Sequence, residues 1–305
     1  MNNNMICDNE KGICGIDTGN EMELFDFNLP KEKVDLYYVT DPICSYCWAV
    51  EPALGKFKEL YKDYLNFHVI MGGLLEDWEG FADLANGING PSDVSGHWRE
   101  VGEAYRMPID GSFWLTNPVK SSFIPSRVYK VIQKDNKDLA LSFLRKAREA
   151  VMAFNKNIAE DDVLIEIVNS LGLKGEEIVK ESYSADAQEL LIEDFKIAGS
   201  LGARSFPSII MVNKDNKGVK VSGARPFDYY VAALKQVITE NNDISPAPAP
   251  ELSKLLKERK LLFSKEIEEL YDIAQSEVKN FIDENLSPGE YEMEEILGET
   301  YIKII

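Results

Sequence analysis

Four cysteines carry the thiol chemistry open to this chain, and two of them, Cys44 and Cys47, stand in the spacing Cys44-Ser45-Tyr46-Cys47. The pair lies between a β-branched, aromatic run, VDLYYVT (34–40), and a segment with apolar residues at helical spacing from Trp48 to Tyr64. A thiol at a helix start meets unpaired amide N–H groups and the positive end of the helix dipole. Such a setting lowers a free cysteine from about 8.5 to roughly 3.5–7.5. Cys44 is therefore expected as a thiolate able to attack a disulfide, and Cys47, one turn on, as the thiol that resolves the mixed disulfide. A Cys-x-x-Cys pair is also half of a zinc site. No second such pair exists here, and His68 and His97 are the only imidazoles. The strand–cysteine–helix setting favours redox geometry.

Ser205-Phe206-Pro207 stands directly before another strand-like run, SIIMV (208–212). A proline there is a candidate for a cis peptide bond that exposes the Phe206 backbone to an extended substrate. The alternative is a trans proline opening an edge strand. Trp48 could shield the dithiol, contact substrate or pack in the core. Glu51 could relay protons or lie exposed. Cys7 and Cys14 could form a second redox pair, half a zinc site or a pair of inert thiols. Two ligands alone do not complete a tetrahedral zinc site. No cofactor is required by the dithiol chemistry itself. His68 reads as a core residue and His97 as a helix-surface one.

The elements that must hold these groups follow from periodicity. Residues 1–33 read as an irregular segment. Strand, helix and strand over 34–75 make a βαβ unit with a right-handed crossover. Residues 76–203 carry repeated helical patterns and read as a helical insertion. Residues 204–243 return to two strands, joined by a turn at 215–217, and a closing helix. ISPAPAPEL (244–252) reads as a semi-rigid linker. Residues 253–305 read as a helical extension, with the terminal IKII as a short edge strand. From Glu251 onward there are 14 acidic and 7 basic residues.

Apolar residues make up 45% of the chain, enough for a sizeable core. The formal net charge is −19, which disfavours nucleic acid and anionic membranes as partners. No long apolar run suggests a membrane span, and the first residues lack the pattern of a secretory signal. The expected compartment is the cytoplasm of a bacterium. There, paired cysteines are more often redox-active or metal-binding than structural.

The segment DPICSYCWAVEP, the long helical insertion and FPSIIMV resemble the DsbA family of thioredoxin-fold proteins, over roughly residues 34–240. They resemble in particular its cytosolic branch, with the FrnE-like dithiol–disulfide isomerases. The resemblance implies an α/β thioredoxin-like fold with a large helical insertion. It implies a thiol–disulfide oxidoreductase or isomerase acting on protein or small-thiol disulfides. Cys44 would be the nucleophile, Cys47 the resolving thiol, and Phe206, Pro207 and Trp48 would meet substrate. The chain also resembles the Firmicute adaptor family that delivers the regulator Spx to the ClpXP protease. Those proteins share the opening motif and a C-terminal extension, and carry an N-terminal stretch thought to hold zinc. That second resemblance implies an Spx-like regulator and ClpXP as partners, a vestigial or redox-sensing dithiol, and Cys7 and Cys14 as candidate zinc ligands.

Overall fold

The computed structural model describes Ile6–Asp8, Ile13–Gly15, 33–238 and 244–305. The chain divides into two units, 1–31 and 32–305. In the first, β1 (Ile6–Asp8) pairs antiparallel with β2 (Ile13–Gly15), which sets Cys7 opposite Cys14 in register. This hairpin departs from the irregular backbone expected there. The side chains of both cysteines lie outside what the structure describes, and so does the expectation of zinc.

The second unit starts with β3 (Val34–Thr40), α1 (Ser45–Ala49), α2 (Glu51–Tyr61) and β4 (Leu65–Met71). The helix is split because Pro52 has no N–H to donate. It therefore falls in the first turn of α2, where none is needed. The insertion supplies α3 (Pro91–Tyr105), α4 (Phe123–Asp135), α5 (Lys137–Arg148), α6 (Asp161–Ser170), α7 (Gly175–Glu181) and α8 (Ala185–Ser200). Helix α5 runs on into a buried π-helical turn, Glu149–Ala153. The chain then forms β5 (Ser208–Val212), β6 (Gly218–Ser222) and α9 (Phe227–Val237).

The main sheet has the order β4-β3-β5-β6. Strand β3 runs parallel to β4 and antiparallel to β5, which pairs antiparallel with β6. The central strand β3 is buried, so the turn that follows it is held rigidly by the core. The insertion is fastened to the sheet through Asp194 of α8, which accepts from the Met71 N–H at 2.8 Å and from Lys130 at 2.6 Å.

The proline-rich stretch is docked along the body, where the sequence suggests a spacer. Ser245 N–H donates to the Tyr64 hydroxyl (3.2 Å), Ala247 N–H to the Leu60 carbonyl (2.7 Å), and the Tyr271 hydroxyl to the Pro250 carbonyl (2.8 Å). Beyond it lie α10 (Leu252–Arg259), β7 (Leu261–Phe263), α11 (Ser264–Tyr271), α12 (Val278–Asn285), β8 (Tyr291–Ile296) and β9 (Glu299–Ile304). The extension thus has a three-stranded antiparallel sheet beside its helices, in the order β7-β9-β8. The terminal residues form its central strand, not an edge.

This extension shares a core with the rest of the unit. Phe263 and Tyr301 belong to the same buried cluster as Trp48 and Phe143. Phe263 meets the Trp48 ring edge-on at 5.5 Å. Around that contact runs a seam of ion pairs. Arg106 reaches Glu268 and Glu299, Arg145 reaches Glu266, and Arg259 reaches Glu59. Among the described residues no helix is long and apolar enough to cross a membrane.

Candidate functional site

Strand β3 ends at Thr40, and Asp41-Pro42-Ile43 turn the chain into α1. Cys44 is the N-cap of α1, and its Sγ accepts the Cys47 N–H at 3.2 Å. Both thiols are free of a disulfide, with Cys44 only 6% and Cys47 0% exposed. The spacing thus brings the two sulfurs together at one helix start, as the sequence suggests, but inside the protein.

Asp41 organises the turn. Its Oδ1 accepts from Ile43 N–H (3.0 Å), and its Oδ2 from Leu74 N–H and the Ser122 hydroxyl (both 2.8 Å). One carboxylate therefore ties the strand–helix turn to the loop after β4 and to the start of α4. Burial raises its pKa to about 6, against the opposing pull of those donors and of Arg148.

Arg148, the last residue of α5, lies on the other side, only 1% exposed. It donates to Glu51 and Thr40 and, at 3.3 Å, to the Asp41 carbonyl. Its guanidinium sits 5.7 Å from the Tyr38 ring centre, and the Tyr38 hydroxyl donates to the Cys47 carbonyl at 3.1 Å. Burial would lower this arginine's pKa, but Tyr38, Glu51 and the two thiols override it, so it remains charged.

These surroundings reverse the expected polarity of the dithiol. Burial, followed by the hydrogen bond and charge of Cys47, pushes the Cys44 thiol well above its ordinary value. Burial acts in the same direction on Cys47, but the Cys44 hydrogen bond, the Arg148 charge and the Thr40 hydroxyl bring it below its ordinary value. The helix-start argument for a Cys44 thiolate holds for a sulfur that faces water. Here desolvation outweighs the dipole.

Phe206–Pro207 is a cis peptide bond. The Phe206 ring lies over Gly72, where an added Cβ would come within 1.9 Å of it, so any larger residue there requires the ring to move. The Pro207 carbonyl is occupied by the Gly223 N–H at 2.8 Å. Among the described residues the Phe206 backbone has no hydrogen-bond partner. Trp48 is 0% exposed, with its indole N–H on the Pro108 carbonyl at 3.0 Å and Arg145 4.9 Å from its ring centre. It packs the core and offers no open face to a substrate. Glu51 is the ion-pair partner of Arg148.

Some site residues gave little sign in the sequence. Arg148 sits in an ordinary amphipathic helix 101 positions beyond Cys47. Ser122 and Thr40 are equally plain. His97 is half-buried, not on the surface, and lies 3.3 Å from the Ser45 hydroxyl inside the Cys-x-x-Cys motif. Burial lowers its pKa. Only Asp41 had a local signal, as the residue that opens the turn into the cysteines.

A thioredoxin family model matches residues 37–232. The chain is similar to the ClpXP adapter protein SpxH of Halalkalibacterium halodurans, 29% identical over 280 residues, covering 91% of this chain and 90% of that one. It is similar to SpxH of Bacillus subtilis, 26% identical over 254 residues, covering 82% of each. Among solved structures, a putative protein disulfide isomerase from Nitrosomonas europaea has a TM-score of 0.54 at 19% identity, covering 67% of this chain and 95% of that one. The cytosolic disulfide reductase DsbM from Pseudomonas aeruginosa has a TM-score of 0.54 at 19% identity, covering 66% and 98%. These two structures share the fold.

Proposed function

The chain belongs to the thioredoxin family, and on that premise we propose that it acts in the cytoplasm as an adapter for the ClpXP protease, with an Spx-like regulator as its client. One observation carries the reading. The region beyond residue 232, outside the family model, is built into the thioredoxin-like body at the helix that bears the dithiol, and relatives named as ClpXP adapters match about nine-tenths of the chain. The disulfide reductase and isomerase folds match only two-thirds of it. The buried dithiol fits the same reading. A protein disulfide needs an accessible thiolate to attack it, and Cys44 is neither exposed nor favoured as a thiolate.

A second reading, thiol–disulfide exchange, draws support from the Cys44–Cys47 pair at a helix start and the cis Phe206–Pro207 bond. In that reading a client or small-thiol disulfide would reach Cys44 only after the turn opens. The dithiol of an adapter could then report the redox state.

Pull-down with the full chain separates the two. The adapter reading expects both an Spx-like regulator and ClpX to be retained, with wild-type protein and with Cys44→Ala alike. A chain that retains neither, while it reduces insulin through Cys44, overturns the adapter reading in favour of the oxidoreductase.

A further inference from the structure

Behind the dithiol, on the far side of Arg148, lies a cleft of about 640 Å³ between α2, β4, α5 and the end of α10. This is within the size range of small-molecule sites. In a chain of net charge −19 its lining is rich in cations: Lys58, Arg145, Lys146, Arg148, Arg259 and Lys260. Three of these have carboxylate partners. Arg148 engages Glu51, Arg145 engages Glu149 and Glu266, and Arg259 engages Glu59 and Glu266. Lys58, Lys146 and Lys260 have no carboxylate within 4 Å among the described residues. Of the remaining acids on the wall, Glu258 faces Lys254, which leaves Asp138. The cleft therefore holds more free positive than free negative charge.

Two independent features point to a missing anion. The Lys58 ammonium is held 4.1 Å from the Phe67 ring centre, and burial lowers its pKa. Arg148 lines the cleft with its Nε buried and without any acceptor. A half-buried lysine without a carboxylate and a buried arginine N–H without an acceptor are both costly unless something pairs with them. Leu54, Phe67, Val69, Leu139 and Leu171 give the wall an apolar stretch.

We propose that this cleft binds a small organic anion with an apolar body, of the medium-chain carboxylate type. The carboxylate lies among Lys58, Lys146 and Lys260, against the Arg148 guanidinium. The chain lies along Leu54, Phe67 and Leu171. Because the same guanidinium favours ionisation of Cys47, a bound anion opposes it. The site thereby couples a metabolite-sized ligand to thiol reactivity. The inference does not rest on the adapter reading and holds equally if the protein is an oxidoreductase.

The test is calorimetric titration of the full chain with decanoate, with decanol and inorganic phosphate as comparisons. The expected result is saturable decanoate binding that exceeds both comparisons by at least about tenfold, and slower alkylation of Cys47 in its presence. Lys58→Met with Lys146→Gln should weaken binding by about tenfold or more. Ser142→Trp, which fills the cleft from α5, should abolish it. Decanol binding as tightly as decanoate overturns the anion requirement, and phosphate binding as tightly overturns the apolar one. Decanoate binding that survives both the lysine changes and Ser142→Trp overturns the site. If Ser142→Trp does not fold, the lysine variant alone decides.

Discussion

The seam that joins the C-terminal extension uses partly buried arginines and the pocket around the dithiol a fully buried one, and the two regions use them differently. At the seam each guanidinium is matched by carboxylates. Arg106 makes paired bonds to both Glu268 and Glu299 at 2.8–2.9 Å, and Arg145 holds Glu266 at 2.6 and 2.8 Å. Glu266 in turn accepts from Arg259 and from the Phe263 N–H. Beside the dithiol, Arg148 has a single carboxylate, keeps one N–H without an acceptor, and spends the rest of its field on Tyr38 and the two thiols. Fully paired arginines fasten. An under-paired arginine tunes the ionisation of what lies next to it.

The largest expected effect is therefore at the seam. Glu266 is 3% exposed on its side chain and serves two arginines. Glu266→Ala leaves Arg145 short of its main partner, and denaturant unfolding should show a loss of about 3–5 kcal/mol. The thiol titration should not move. An unchanged midpoint would mean that the extension is not fastened through these pairs.

Next comes the pH dependence set by Asp41. Its folded pKa of about 6 is above the ordinary carboxylate value of 3.8. The folded state therefore holds the proton more tightly than the unfolded one. This group's contribution is most favourable below pH 4 and is lost as the pH rises to about 6. The difference amounts to about 2–3 kcal/mol. Asp41→Asn does not titrate, so the gap between wild type and variant should change by that amount between pH 4 and pH 7. A constant gap would contradict the burial argument.

A smaller effect isolates one hydrogen bond of the seam. The Ser264 hydroxyl donates to Glu299 at 2.8 Å. Ser264→Ala should cost about 1 kcal/mol in unfolding and leave the alkylation rates of both cysteines unchanged. On the other side of the comparison, Arg148→Met should raise the pKa of Cys47, read as an upward displacement of its alkylation profile with pH. A profile that stays in place would remove Arg148 from any role in thiol ionisation.

Much of the fold is written in local pattern. VDLYYVT, the split helix after Cys47, NFHVIM and SIIMV each carry the period or composition of the element they form, and Phe206–Pro207 is cis as its position suggests. What is not legible depends on contacts between distant segments. Leu261–Phe263 continues a helical period, yet Lys260 adopts a left-handed conformation and the next three residues pair with β9. Tyr291–Ile296 is half glutamate, and becomes a strand only because β9 is there to pair with it. At the site, the two cysteines and their spacing are plain in the sequence. Their ionisation is not, because it turns on burial and on Arg148, which is brought in from another helix.

The adapter reading is tested most directly by reconstituting degradation of an Spx-like client by ClpXP, with and without this protein. The account predicts that wild-type protein accelerates degradation and that the Cys44→Ala/Cys47→Ala variant does so equally. No acceleration by wild-type protein, or acceleration that vanishes in the double variant, would contradict it.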